Sequence, residues 1–96
     1  MGVRLLSLAQ AELDEAFLWY EDQVVGLGYS FLEEFHHSVK LIASFPTLYE
    51  QISKDIRRCI MNRFPYGIIY GTDDSEIIII AVAHLKRKPN YWVDRN

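Results

Sequence analysis

Residues 76–92 read EIIIIAVAHLKRKPNYW, and this stretch decides the fold. Ile77 to Ala83 carries no polar side chain and is rich in β-branched Ile and Val. Bounded by Thr72-Asp73-Asp74-Ser75 on one side and Pro89 on the other, such a run predicts a strand buried on both faces. It is far too short to cross a bilayer, which takes about 20 apolar residues in a helix. Directly after it come His84, Lys86, Arg87 and Lys88, followed by Tyr91 and Trp92. A strand end leaving a core holds functional groups rigidly while they still reach solvent, which makes this end the first candidate surface.

Working outward, Ile56–Phe64 and Tyr66–Thr72 predict two further strands, with Pro65 between them where a missing N–H harms least. The Asp73-Asp74-Ser75-Glu76 turn then makes the last three strands an antiparallel meander. Thr47–Lys54 reads as a connector. Before it, Phe31, Leu32, Phe35, Val39 and Ile42 recur at helical spacing and stop ahead of Pro46. Ala9, Leu13, Ala16, Phe17, Tyr20 and Val24 mark an earlier helix, opened by Ser7-Leu8-Ala9-Gln10 in the pattern of a capping box. Glu12, Asp14, Glu15 and Asp22 fall largely outside its apolar stripe and read as a solvated face rather than as acid–base groups or metal ligands. Gly26-Leu27-Gly28 breaks the two helices apart, with Gly26 suited to a left-handed C′ position, so they should form an antiparallel hairpin. Val3–Leu6 is a short apolar segment that fits a first strand. The expectation is a single α+β domain over residues 1–96. Its order is β-α-α-β-β-β, with a helix hairpin on one face of a small, largely antiparallel sheet and a short C-terminal tail.

Two helices cover one sheet face and leave the other partly open. Alternation should bring some of Arg57, Arg58, Arg63 and Tyr66 to the open face, with the His84–Trp92 tail nearby. The parity stays open at this point: Ile56, Ile60 and Phe64 form one apolar set, Cys59 and Met61 the other. The net charge is −3, divided into −6 over residues 1–53 and +3 over residues 54–96. Two surfaces of different character follow, while the overall acidity argues against nucleic acid as the principal partner. The lone Cys59 forms no intramolecular disulfide and fits a reducing compartment. With no signal peptide evident, the expectation is a soluble cytoplasmic protein without a membrane partner. His36 and His37 are adjacent and cannot chelate one ion as a pair, and no Cys or His set has metal-ligand spacing, so neither metal nor cofactor is expected.

With these residues in place, the chain resembles the RelE/ParE superfamily of toxins from bacterial type II toxin–antitoxin modules, often labelled plasmid-stabilisation proteins. The likeness runs from about Arg4 to Trp92 in an ordered series. It comprises Ala11-Glu12-Leu13, Ala16, Trp19-Tyr20-Glu21, Gly26-Leu27-Gly28, Phe31-Leu32, Ile42, Phe45-Pro46, Ile56-Arg57-Arg58, Arg63-Phe64-Pro65-Tyr66, Tyr70, Ala81-Val82-Ala83-His84, Arg87, Pro89 and Tyr91-Trp92. The resemblance implies a toxin that inhibits growth when free and is neutralised by a cognate antitoxin. It leaves two activities: RelE-like members cut mRNA in the ribosome using clustered Arg and Lys with a C-terminal Tyr, and ParE-like members inhibit DNA gyrase. Metal-independent RNA cleavage needs a base, cations for the phosphorane and an acid for the leaving oxygen. Here Gly67 and Leu85 stand where the nuclease would carry arginines, while Tyr91 matches its tyrosine. The ParE-like reading is therefore favoured, with Arg57, Arg58, Arg63, Lys86, Arg87, Lys88, Tyr91 and Trp92 as the surface for target or antitoxin. A nuclease would have to use His84, Arg87 and Tyr91, and an inactive relative kept for antitoxin complex formation is the third reading.

Overall fold

A computed structural model describes residues 2–95. In chain order the elements are β1 (Gly2–Leu5), α1 (Ser7–Gln23), α2 (Leu27–Ser44), β2 (Glu50–Ser53), β3 (Ile56–Ile60), β4 (Tyr66–Thr72) and β5 (Glu76–His84), then a 3-10 turn at Val93–Arg95. The sheet runs β1-β5-β4-β3-β2, with β1 parallel to β5 and every other pair antiparallel. The α+β order with a helix hairpin on one face is thus the one expected, with three local differences.

The connector Thr47–Lys54 contains the edge strand β2, which pairs with β3 through Glu50–Arg58 and Gln51–Arg57. The strand expected over Ile56–Phe64 ends at Ile60, because residues 61–65 make the turn into β4. The capping box at Ser7 does not form. Leu6 holds the N-cap position without a side-chain bond, Ser7 is already helical, and the Gln10 amide donates to Asp14 (2.9 Å) instead of reaching back.

The hairpin is tight for a stated reason. Gly26 turns the chain at φ +92°, a conformation that side chains rarely adopt, and Glu21 accepts from the N–H groups of Gly26 (2.8 Å) and Gly28 (3.0 Å). These are orphan donors at the start of α2, so Glu21 on α1 caps its neighbour helix. A Cβ at Gly28 would stand 2.6 Å from the Phe17 carbonyl oxygen, and only glycine lets the two helices approach this closely.

The core between hairpin and sheet holds Leu13, Tyr20, Phe31, Phe35, Ile42, Cys59, Met61, Ile68, Tyr70, Ile77 and Ile79. Cys59 and Met61 therefore settle the parity of β3: that set faces the helices, Ile56 faces the other side, and Ile60 is 48% exposed. On the opposite face a smaller cluster forms from Ile69, Ile80, Ala81, Ala83 and Trp92. β5 is buried on both faces as expected, since one cluster takes Ile77, Ile79 and Val82 and the other takes Ile80, Ala81 and Ala83.

Candidate functional site

The tail is placed by an irregularity in β5. Ile69 pairs with Ala81 and Tyr70 with Ile79, which leaves Ile80 as an extra residue. Ile80 and Ala81 consequently both join the cluster away from the helices, and the alternation is reversed beyond them. Val82 faces the hairpin core, while Ala83 and Leu85 lie on the other face beside Gly67. His84 is turned toward the helices, its ring edge-on to Tyr66 at 5.1 Å, and Nδ1 accepts from the Lys86 N–H (3.1 Å).

β1 follows β5 only to Ile79, whose carbonyl accepts from Leu6 N–H (3.0 Å). Beyond that point α1 leaves the sheet plane and the edge of β5 has no strand beside it. A side chain from α1 takes over: the Glu12 carboxylate accepts from Val82 N–H (3.0 Å). The same carboxylate accepts from Tyr91 Oη (2.6 Å), from Arg95 Nη1 and Nη2 (2.7 and 3.0 Å) and from Arg87 Nη1 (3.2 Å). Arg95 also reaches the Ile80 carbonyl (3.2 Å), so two polar groups of the vacated edge are bonded. Glu12 retains only 11% of its side-chain exposure. The expectation of a solvated acidic face is wrong at this position, and burial of the charge is offset by two guanidinium groups and a hydroxyl. The Arg87 guanidinium lies over the Tyr91 ring at 3.7 Å, and Arg95 flanks the same ring at 5.0 Å. Burial, then the bond to Glu12, then the charge of Glu12 push the Tyr91 hydroxyl above the ordinary tyrosine range, against the opposing pull of Arg87 and Arg95.

Between this tail and the sheet runs a groove of about 210 Å³. Its floor is Gly67, Ile69 and Ala83, and its walls include Arg58, Leu85, Lys88, Tyr91 and Trp92. The aliphatic stem of Arg58 lies across Gly67, and its Nη2 pairs with Glu50 (2.8 Å) while Nε is buried without a partner. Gly67 and Leu85, the two positions where cations would be expected in a nuclease, thus come together at one place. Both present no charge there.

The other predicted residues divide by location. Arg57 lies on the helix side and donates to the Tyr49 carbonyl (2.8 Å) beside Tyr70. Tyr66, also suggested for the open face, belongs to the hairpin core. Arg63 sits in the β3–β4 turn against α2, where Nε meets Glu34 (3.3 Å). Lys86 is exposed at the start of the tail. The structure therefore brings together Arg58, Arg87, Lys88, Tyr91 and Trp92, and sets Arg57 and Arg63 apart from them. On the hairpin side, Trp19, Tyr20, Pro65, Tyr66 and His84 line a second, mostly apolar concavity of about 470 Å³. Among the described residues, no group of three or more His, Cys, Asp or Glu is placed to hold a metal ion, and no helix is long and apolar enough to cross a membrane.

A sequence profile for the ParE toxin of type II toxin–antitoxin systems, parDE, matches residues 3–89. Comparison with curated proteins gave no match. Among solved structures, a chain of the chromosomal ParDE toxin–antitoxin system from P. aeruginosa superposes with a TM-score of 0.75 at 16% identity, over 90% of this chain and 97% of that one. At that identity the likeness speaks for the fold.

Proposed function

The chain belongs to the ParE toxin family of type II toxin–antitoxin systems, and from there we propose that it inhibits growth by binding a protein target, of which DNA gyrase is the first candidate, and is neutralised by its cognate antitoxin. The observation that carries this reading is the uncharged groove lining at Gly67 and Leu85, with Arg58 beside it already paired to Glu50. RNA cleavage needs unpaired cations around the phosphorane and a free acid and base. Of the three residues a nuclease would use, Tyr91 has its hydroxyl bonded to Glu12 and Arg87 is stacked on Tyr91 and bonded to the same carboxylate. His84 borders the groove but packs its ring against Tyr66, on the hairpin side of the sheet. A wall of Arg87, Lys88 and Tyr91, seated on the buried Trp92, suits recognition of an acidic protein surface, because aromatic and Arg side chains supply contact area and orientation with little loss of freedom.

The deciding experiment pairs two purified assays: gyrase supercoiling and mRNA cleavage on programmed ribosomes. Inhibition of supercoiling with intact mRNA is the expected result. Cleavage on the ribosome with unaffected supercoiling would overturn it. His84→Ala should leave growth arrest on induction unchanged, and loss of arrest would revive the nuclease.

A further inference from the structure

We propose that Glu12 is a positioning residue, the clasp that holds the C-terminal tail (residues 85–95) against β5 and so fixes Arg87 and Tyr91 in their binding arrangement. The importance of that arrangement for growth arrest rests on the reading above. The clasp itself rests on geometry alone.

Among the described residues, five hydrogen bonds donated by side chains of this tail reach the rest of the chain, and four of them end on Glu12. The fifth, from Arg95 to the Ile80 carbonyl, comes from a guanidinium that Glu12 itself orients. The contacts join residues 75 to 83 positions apart in sequence, so no local propensity would create them. Glu12 is also the one helix residue that completes the vacated edge of β5, through Val82 N–H. One carboxylate therefore sets the distance between α1, the strand edge and the tail. Without it, Arg87 and Arg95 would both stay beside the Tyr91 ring with no shared anion, and like charges at such a site repel. What would remain is Trp92 on its apolar cluster and the bonds at the tail's start, from Leu85 N–H to the Pro65 carbonyl (2.8 Å), from Lys86 N–H to His84 Nδ1 (3.1 Å) and from Arg87 N–H to the His84 carbonyl (3.0 Å), which hold the tail at two points rather than along its length.

Amide hydrogen exchange on the full chain tests this. Glu12→Gln keeps an acceptor for Val82 and removes the charge shared by the two arginines. Exchange of the hydrogen-bonded tail amides, those of Arg87, Val93 and Arg95, should accelerate roughly tenfold or more, the scale of losing charge-assisted hydrogen bonds. The amides of Ile68, Ile77 and Ile79 should keep their rates. Unchanged protection in the tail would overturn the proposal, and so would equal acceleration in tail and core, which is the signature of a merely structural carboxylate. Should Glu12→Gln fail to fold, Tyr91→Phe removes one donor and leaves the charge, and a smaller acceleration confined to the same residues is expected. Where both variants fold, the double variant should exchange no faster than Glu12→Gln alone, since the two share one contact, and additive effects would contradict the clasp. Growth arrest, measured alongside, separates the two layers: a loosened tail with undiminished arrest would keep the clasp and refute the binding surface.

Discussion

The stem of Arg58 lies across Gly67, so close that a Cβ built on Gly67 would stand 3.1 Å from Cδ and 3.2 Å from Cγ of the arginine. A strand residue without a side chain here lets a cation from the neighbouring strand cross the sheet and close the groove floor. Gly67→Ala sets a gain in backbone entropy, about 0.5–1 kcal/mol, against the cost of shifting the partly exposed Arg58 stem by a few tenths of an ångström. Stability should change by less than about 1 kcal/mol, with the Arg58–Glu50 pair displaced. Gly67→Val adds bulk that the arginine cannot evade and should cost about 1–3 kcal/mol. Urea denaturation of the two variants checks the order; equal costs would show that Arg58 does not rest on Gly67.

The buried Glu34 fastens the β3–β4 turn to α2. Its carboxylate accepts from the backbone N–H of Asn62 and of Arg63 (3.1 Å), and Arg63 Nε adds a third donor (3.3 Å). Glu34→Ala leaves two N–H groups of a tight turn unpaired and should cost about 2–4 kcal/mol, while Glu34→Gln, which retains one acceptor, should lose about half of that. The exposed partner is a different matter: Arg63→Ala should cost under about 1 kcal/mol, because its side chain is 62% solvent-accessible. Thermal unfolding of the three variants measures this, and a large effect of Arg63→Ala would mean that the ion pair, not the turn, is what Glu34 serves.

How legible this was depends on where the information lies. The β5 run and the hairpin were plain in the sequence because uniform apolarity over Ile77–Ala83 and the spacing of Phe31, Phe35 and Ile42 are local signals. The β5 irregularity was hidden by that same uniformity: when every side chain is apolar, an extra residue leaves no break in the pattern, and the side to which His84 points could not be read. β2 was missed because EQIS offers one apolar residue, Ile52, and is a strand only by pairing with β3. Glu12 looked like its acidic neighbours on α1. Its burial comes from Tyr91, Arg87 and Arg95, which the sequence places at the far end of the chain, and no helical periodicity reports on them. The alternation of Gly67 and Leu85 with cations was legible only by resemblance, whereas their convergence around Arg58 needed the register of β3, β4 and β5.

Alkaline pH should destabilise the fold through Tyr70 and Tyr91. Burial pushes the Tyr70 hydroxyl, which donates to the Pro46 carbonyl (2.6 Å), from 10.0 up to about 12, although Arg57 pulls in the other direction. Tyr91 is raised from 10.0 as well, chiefly by burial and then by Glu12. Below the unfolded value of 10.0 both states keep these protons and the contribution to stability is complete. Above it the unfolded chain ionises first, the folded state binds more protons, and stability falls with rising pH until the folded phenols ionise in turn. Phenolate absorbance during titration should place Tyr70 and Tyr91 among the last tyrosines to ionise, and Tyr70→Phe and Tyr91→Phe should each flatten the alkaline fall in denaturation midpoint. A fall of wild-type steepness in both variants would contradict the assignment.

Trp92 is the tail's apolar anchor, 6% exposed over Ile69, Ile80, Ala81 and Ala83. Its removal should separate the two sheet faces energetically. Truncating a fully buried Trp in a closed core costs about 3–5 kcal/mol, but part of that cost is the cavity left behind. Here the space left behind opens into the groove instead of enclosing a void, and the hairpin core on the other face does not include Trp92. Trp92→Ala should therefore fall at the lower end, about 3 kcal/mol or less, and leave an apolar strip of β4 and β5 open to solvent. The sign of this state is increased binding of a hydrophobic dye at temperatures where far-ultraviolet circular dichroism remains that of the wild type. Trp92→Phe should restore most of the stability by covering the same residues. Loss of secondary structure in step with dye binding would instead make the two faces one cooperative unit, with the tail as much a part of the core as α1.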